Sequence, residues 1–400
     1  MSARLAEHIA CVPPSGIRKF FDIVSEMKDA ISLGVGEPDF VTPWAYSDAA
    51  IYSMRAGHTH YTSNWGLIEL RRAINEYQRE RFGLEYQPEN EILVTVGASE
   101  GIDLALRAIV NPGDEVLVPD PSYVSYAPGV RFSHGVCVPV PTRAENGFRV
   151  TAQDVKAHIT PKTKAIILPY PNNPTGAVMP EGELRALAAV LRESGVIVIS
   201  DEIYAELTYA GTHHSIAAIE GMRDNTIVLN GFSKAFAMTG WRMGWACAPK
   251  DIMESMFKIH QYTMLCAPTA GQYAALEALR SNAASGYADV QKMVRAYDRR
   301  RRFLVKALGD VGLSCFEPLG AFYAFPSIAG TGLSSDAFCE ALLYDQKVAA
   351  VPGTAFGQGG EGHIRLSYAT SLDKIEEAVR RMGRFLEKQK KQSGRIEGIQ

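Results

Sequence analysis

Short runs of apolar, often β-branched residues recur from about Glu91 onward, each bounded by charged or turn-forming positions: "EILVTV", "DEVLVP", "KAIILP", "VIVIS" and "TIVLN". Runs this apolar, without alternation, read as strands buried on both faces, the pattern of a parallel sheet covered by helices. Stretches at helical spacing lie between them at 100–110, 181–193 and 252–262. The order predicts a doubly wound α/β domain over residues 48–285.

Past Gly286 the pattern changes. "GYADVQKMVRAYDRRRRFLVKAL" reads as one long amphipathic helix, after which the strands "GAFYAFP" and "HIRLSYA" bracket a helix over 335–346. This predicts a smaller α+β unit over residues 286–386. Residues 1–47 are too few to fold alone and hold one strand candidate, "AISLGVG", so they are expected to complete the smaller domain. The polar stretch 387–400 is expected to be disordered.

Composition narrows the function classes. In 400 residues, 46% are hydrophobic, enough for the cores of two domains, and the net charge of −3 comes from interspersed signs. No broad basic field exists to hold nucleic acid or an anionic membrane, which leaves small molecules as the expected partners. The N-terminal residues lack the apolar core of a leader, and no apolar run approaches membrane-spanning length, so a cytoplasmic location is expected. Cys11, Cys137, Cys247, Cys266, Cys315 and Cys339 form no CxxC pair and are expected to be reduced and mostly buried. His58 with His60 and His213 with His214 lack cysteine or acidic companions at metal-site spacing, so no metal is expected.

Ligands of open α/β sheets bind at the carboxyl ends of the strands. Here those ends carry a consistent set: Gly97-Ala98-Ser99-Glu100 opening a helix, then "YPNNPTG", then Asp201-Glu202-Ile203-Tyr204, then "GFSKAFAMTGWRMG". Backbone N–H groups and a hydroxyl at a helix start favour a phosphate, although a plain serine cap explains the first stretch equally well by itself. The last stretch breaks the tie. A loop lysine, Lys234, stands between Ser233 and Arg242, and an arginine can grip a phosphate through two hydrogen bonds.

The order and spacing of "SLGVGEPDF", "YTSNWGLIELR", "GASEGIDLALRA", "PSYVSY", "PNNPTG", "SDEIYAEL", "GFSKAFAMTGWRMG", "PGTAFG" and "HIRLSYA" resemble the pyridoxal-phosphate-dependent fold-type I aminotransferases of class I/II. Within them the chain is similar to the aspartate and aromatic aminotransferases, and "SGIRKF" and "DEIYAELTY" add a likeness to enzymes of N-acetyl-diaminopimelate transamination. The resemblance implies pyridoxal 5′-phosphate as cofactor, a large mostly parallel sheet domain and a smaller α+β domain. It implies Lys234 as the Schiff-base lysine, Asp201 opposite the pyridine nitrogen, and Tyr204 and Asn173 on the phenolic oxygen. A carboxylate about 4 Å from a pyridinium is attracted by roughly 4 kcal/mol at an effective dielectric near 20, which keeps the ring protonated. Tyr123 would stack on the ring, while Ala98, Ser99, Ser233 and Arg242 would hold the phosphate. Tyr61 would reach the phosphate of a neighbouring subunit, which makes a homodimer with shared sites.

For the substrate, the resemblance sets Arg365 against the α-carboxylate, with Asn173 and the backbone of Gly36 completing the clamp. The implied activity is transfer of an amino group from an L-amino acid to a 2-oxo acid, 2-oxoglutarate first among them, in ping-pong order. A carbon–sulfur β-lyase of the same fold would use the same apparatus. A cofactor-sensing regulator would need a DNA-binding domain, for which the residues before "AISLG" leave no room. No second arginine for a distal carboxylate stands out, since Arg18, Arg131 and Arg295 carry no motif.

Overall fold

The apolar runs become strands because their side chains are buried on both faces: β2, β6 and β7 below have almost no exposed position. The computed structural model describes residues 6–14, 16, 27 and 29–397. In chain order the strands are β1 (Ile31–Ser32), β2 (Ile92–Thr95), β3 (Glu115–Asp120), β4 (Val136–Pro141), β5 (Thr163–Leu168), β6 (Ile197–Asp201), β7 (Thr226–Gly231), β8 (Gly244–Cys247), β9 (Tyr323–Ala324), β10 (Val348–Ala349), β11 (Val351–Pro352) and β12 (Ile364–Ser367).

Seven of them form the large sheet, in the order β2-β8-β7-β6-β5-β3-β4. Its central strands are parallel, as read, but two differ from expectation. β8 lies between β2 and β7 and is antiparallel to both, so β2 does not pair in parallel with any strand. β8 went unread because its four residues, "GWAC", are too short to show a period. β4 was missed because Pro139 and Pro141 interrupt it; it pairs only with β3, and an edge strand tolerates proline.

The three helices expected between strands are present as Gly97–Ile109, Glu181–Ser194 and Lys250–Thr263, each starting or ending within three residues of its expected bounds. The long helix is Ala288–Asp310, and the helix between the two late strands is Ser335–Gln346. β9, β11 and β12 make a three-stranded antiparallel sheet, and β1 pairs in parallel with β10. The early strand candidate thus joins the late ones. Because β8 reverses direction twice over, β2 runs the same way as β5, β6 and β7, and their carboxyl ends share one edge of the sheet.

Two expectations need correction. Residues 387–397 are not disordered: the last helix, Leu372–Glu397, runs through them. Glu, Lys and Gln are good helix formers, and Lys388 reaches Asp345 at 2.5 Å, which ties the helix beyond its last core residue, Leu386. Residues 398–400 and Arg18 lie outside the described residues. Of the six free cysteines only Cys247 and Cys339 are buried, while Cys11 is exposed, since small side chains at element ends need not face the core. Among the described residues no helix is long and apolar enough to cross a membrane, and no group of His, Cys, Asp and Glu could hold a metal ion.

Candidate active site

The shared carboxyl edge of β2, β5, β6 and β7 opens on a cavity of about 580 Å³, closed from the other side by Gly36, Glu37, Tyr323 and Arg365. Every site residue expected from sequence lines it except Tyr61.

Lys234 stands in the loop between β7 and β8, half-buried, with Nζ donating to the Gly36 carbonyl at 2.6 Å. Nζ is 5.6 Å from the ring centres of both Tyr204 and Phe322. Burial, with smaller contributions from Arg365 and Arg242, lowers its pKa to about 8 against the opposing charges of Glu37 and Asp201. A lysine of this kind is substantially neutral at mildly alkaline pH and can serve as nucleophile or base.

Asp201 ends β6 and is 5% exposed. Its Oδ2 accepts from the Tyr126 hydroxyl at 2.7 Å and its Oδ1 from the Ile203 N–H at 3.2 Å. Burial pushes its pKa up, and these hydrogen bonds only partly oppose the shift. Such a carboxylate is suited to face a cation. Tyr204 is also buried, and its hydroxyl lies 2.8 Å from that of Tyr323. Burial raises the pKa of both phenols, so both remain protonated donors.

At one end of the cavity Arg365, in β12, is 3% exposed. Nη1 donates to Asn173 Oδ1 at 2.9 Å and Nη2 to the Gly34 carbonyl at 2.6 Å, while Nε is buried without a partner. The guanidinium lies 4.4 Å from the Tyr323 ring centre and 4.8 Å from that of Phe356. No carboxylate of the described residues pairs with it, and burial lowers its pKa. Gly34 supplies a carbonyl to Arg365, a contact the sequence reading did not name, while Gly36, farther along the same segment, lines the cavity and meets Lys234.

At the other end the helix Gly97–Ile109 begins with no side-chain cap on Val96, so its first-turn N–H groups at Ala98 and Ser99 have no intrahelical acceptor. Ser99 is exposed to the cavity, Ser233 is nearly buried, and Arg242 is exposed, holding the Thr239 carbonyl through Nη1 at 3.1 Å. Gly97 has φ +74°, and a Cβ there would stand 2.5 Å from Arg242 Nη2, so only glycine lets the guanidinium approach the helix start. N–H groups, two hydroxyls and a guanidinium around one corner form a site for a phosphate.

Tyr123 lines the cavity and packs edge-on against Tyr126 at 5.4 Å between centres. Tyr61 is 80% exposed and away from the cavity of its own chain. Arg131 and Arg295 are exposed and do not line it either. Sequence reasoning missed Tyr126, Tyr323 and Glu37. Tyr126 stands in the quoted stretch "PSYVSY" and Tyr323 in "GAFYAFP", but nothing in either stretch singles them out.

Residues 28–382 match the sequence profile of the family "Aminotransferase class I and II". An aspartate aminotransferase of Pyrococcus abyssi is 46% identical over 387 residues, covering 96% of this chain and 99% of that one. A Bacillus subtilis protein named for N-acetyl-LL-diaminopimelate transamination is 44% identical over 376 residues, 94% of each chain. The crystal structure of an aromatic aminotransferase from Pyrococcus horikoshii OT3 superposes with a TM-score of 0.88 at 45% identity, covering 94% of this chain and 99% of that one.

Proposed function

The chain belongs to the class I and II aminotransferases, and from that premise we propose that it moves an amino group from an L-amino acid to a 2-oxo acid, preferentially 2-oxoglutarate, in ping-pong order with Lys234 carrying the cofactor. The protein is a pyridoxal 5′-phosphate-dependent aminotransferase of fold-type I. The carbon–sulfur lyase alternative is not favoured, since the relatives are named as aminotransferases. The observation that carries the reading is one cavity holding an amine with lowered pKa, a buried carboxylate without a full cationic partner, and a buried guanidinium with an unpaired donor.

These residues fit the cofactor. When bound, it supplies an electron sink for the charge left on the substrate α-carbon. Asp201 would face the ring nitrogen and keep it protonated, a cation there offsetting the burial that raises its own pKa. Asn173 has its Oδ1 taken by Arg365, which leaves its amide N–H₂ to donate to the phenolic oxygen beside the Tyr204 hydroxyl. Tyr123 would cover one face of the ring. The N–H groups of Ala98 and Ser99, with the Ser99 and Ser233 hydroxyls and Arg242, would hold the phosphate.

Arg365, already oriented by Asn173 and Gly34, would receive the substrate α-carboxylate, with Gly36 lining the same corner. Lys234 Nζ, once displaced by the substrate amine, would take the proton from the substrate α-carbon and deliver it to the carbon on the cofactor side of the bond, after which water would release the 2-oxo acid. The second oxo acid would reverse these steps.

The reading includes a homodimer in which Tyr61 serves the phosphate of the neighbouring subunit, supported by the exposure of Tyr61, Trp44 and Tyr262 at 80%, 72% and 83%. It also includes a cytoplasmic location, and a division into a cofactor-holding part of residues 48–285 and a smaller part of residues 1–47 and 286–386. The separate small sheets, built only from strands outside 48–285, support that division. Borohydride reduction of the loaded protein and peptide mapping test the central assignment: the cofactor should be fixed on Lys234, and labelling of another lysine with Lys234 unmodified would overturn it. A panel of amino donors with 2-oxoglutarate would then identify the preferred side chain.

A further inference from the structure

Behind the phosphate corner lies a buried pair that the reaction does not use. His260, in the helix Lys250–Thr263, is fully buried, and its Nδ1 lies 2.6 Å from Glu100 Oε1. Glu100 Oε2 accepts the Val96 N–H at 2.5 Å. A carboxylate only accepts, so Nδ1 carries the proton and donates. The other ring nitrogen, Nε2, is buried without a partner. An aliphatic side chain would fill this position without leaving a polar atom unpaired, so the imidazole is retained at a cost that packing does not explain.

Glu100 follows Ser99 directly and stands in the first turn of the helix whose free N–H groups face the cavity. A helix N-terminus attracts any nearby anion, and a side-chain carboxylate one residue from the phosphate corner is a built-in competitor for it. An ordinary serine or aspartate cap would also occupy those N–H groups. Here the cap residue is Val96, and both Glu100 oxygens are held elsewhere, one by the Val96 N–H outside the corner and one by His260.

We propose that His260 is a positioning residue that holds the Glu100 carboxylate back from the helix start, keeping the N–H groups of Ala98 and Ser99 available to the cofactor phosphate. This rests on the phosphate reading given above. The effect is specific to anionic ligands: it strengthens grip on the phosphate and leaves the ring and aldehyde contacts unchanged.

The test uses the full chain stripped of cofactor and titrated with pyridoxal 5′-phosphate and, separately, with pyridoxal, which lacks the phosphate; inorganic phosphate serves as a competitor. His260→Leu should weaken binding of the phosphorylated cofactor and of inorganic phosphate by at least about tenfold, as expected for freeing a charged hydrogen-bonded group, with pyridoxal unaffected. Adding Glu100→Gln to that variant removes the competing charge and should restore most of the loss. His260→Asn, whose amide nitrogen stands near the Nδ1 position, should bind like wild type, whereas His260→Gln, whose amide stands near Nε2, should not. The His260→Asn and His260→Gln pair answers the question if His260→Leu does not fold. Equal losses for the phosphorylated and unphosphorylated ligands, no recovery in the double variant, or equal behaviour of Asn and Gln would each overturn the proposal. Arg242→Ala in the same titration separates the underlying reading: if it leaves cofactor affinity unchanged, the phosphate corner itself is misassigned.

Discussion

Both ends of the cavity hold an arginine, and the two are set in opposite ways. Arg242 is exposed, has one backbone acceptor, and stands among N–H groups and hydroxyls that share the work of binding. Arg365 is buried between two aromatic rings, has two acceptors of its own, and keeps one unpaired donor. A buried guanidinium without a carboxylate is costly, and a ligand that brings the missing charge removes that cost. The contrast fits a permanent guest held by many modest contacts at one end, and a transient carboxylate drawn by one strong demand at the other.

The largest expected effect is at Lys234, which lies between the two ends. Lys234→Ala should lower turnover by at least about a hundredfold, the range for loss of a positioned general base. Cofactor retention and amino-acid binding, measured by spectral titration, should persist through the two arginines. Full turnover in this variant would remove the lysine from the mechanism.

Next comes the transient end. Arg365→Ala should raise the amino-acid concentration giving half-saturation in single-turnover experiments by at least about tenfold, since hydrogen bonds to charged groups contribute about 1.5–3 kcal/mol each. Arg365→Lys should recover little, because an ammonium cannot reproduce the planar two-bond grip. Cofactor affinity should stay at the wild-type value. Saturation at the wild-type concentration would make Arg365 a structural residue.

Arg242→Ala should do the reverse with a smaller effect, because N–H groups and hydroxyls remain: cofactor dissociation should quicken by about tenfold, with half-saturation by amino acid unchanged once cofactor is in excess. If both variants weakened both ligands equally, the division of labour would be lost.

The smallest effect concerns pH. Burial first, and then both arginines, lower the Lys234 pKa to about 8, so the protonated amine predominates below that value and the nucleophilic neutral form above it. The rate of cofactor capture by the stripped protein should therefore rise through about pH 8 and level off, rather than rise toward the 10.5 of an ordinary lysine. Removing either arginine should move the midpoint up, Arg365→Ala more than Arg242→Ala. A midpoint that stays fixed in both variants would leave burial as the sole cause.

Much of this was legible because chemistry at strand ends is written in contiguous motifs. Lys234, Ser233 and Arg242 come in one stretch, and Asp201 with Tyr204 in another. What the sequence hid are pairings between distant segments. Nothing in "PSYVSY" says that its second tyrosine meets Asp201, since that depends on where the helix Tyr126–Phe132 begins. Gly34 and Gly36 are separated by one residue, and only the packing of β1 beside β10 decides which carbonyl faces Arg365 and which faces Lys234. His260 and Glu100 are each unremarkable in their own helices. The proline-broken β4 and the four-residue β8 fall below the length at which periodicity speaks.

The antiparallel insertion of β8 also bears on how the site is assembled in time. With Gly231 opposite Gly244, residues 232–243 form a loop closed at its base, so Lys234 and Arg242 come together as soon as two neighbouring strands pair. Arg365 finds Asn173 across 192 residues and Gly34 across 331. Contacts that close short loops form early in folding, and those that join remote segments form late. The cofactor corner can thus take shape before the substrate clamp exists, so the capacity to hold the cofactor can precede the capacity to choose a substrate.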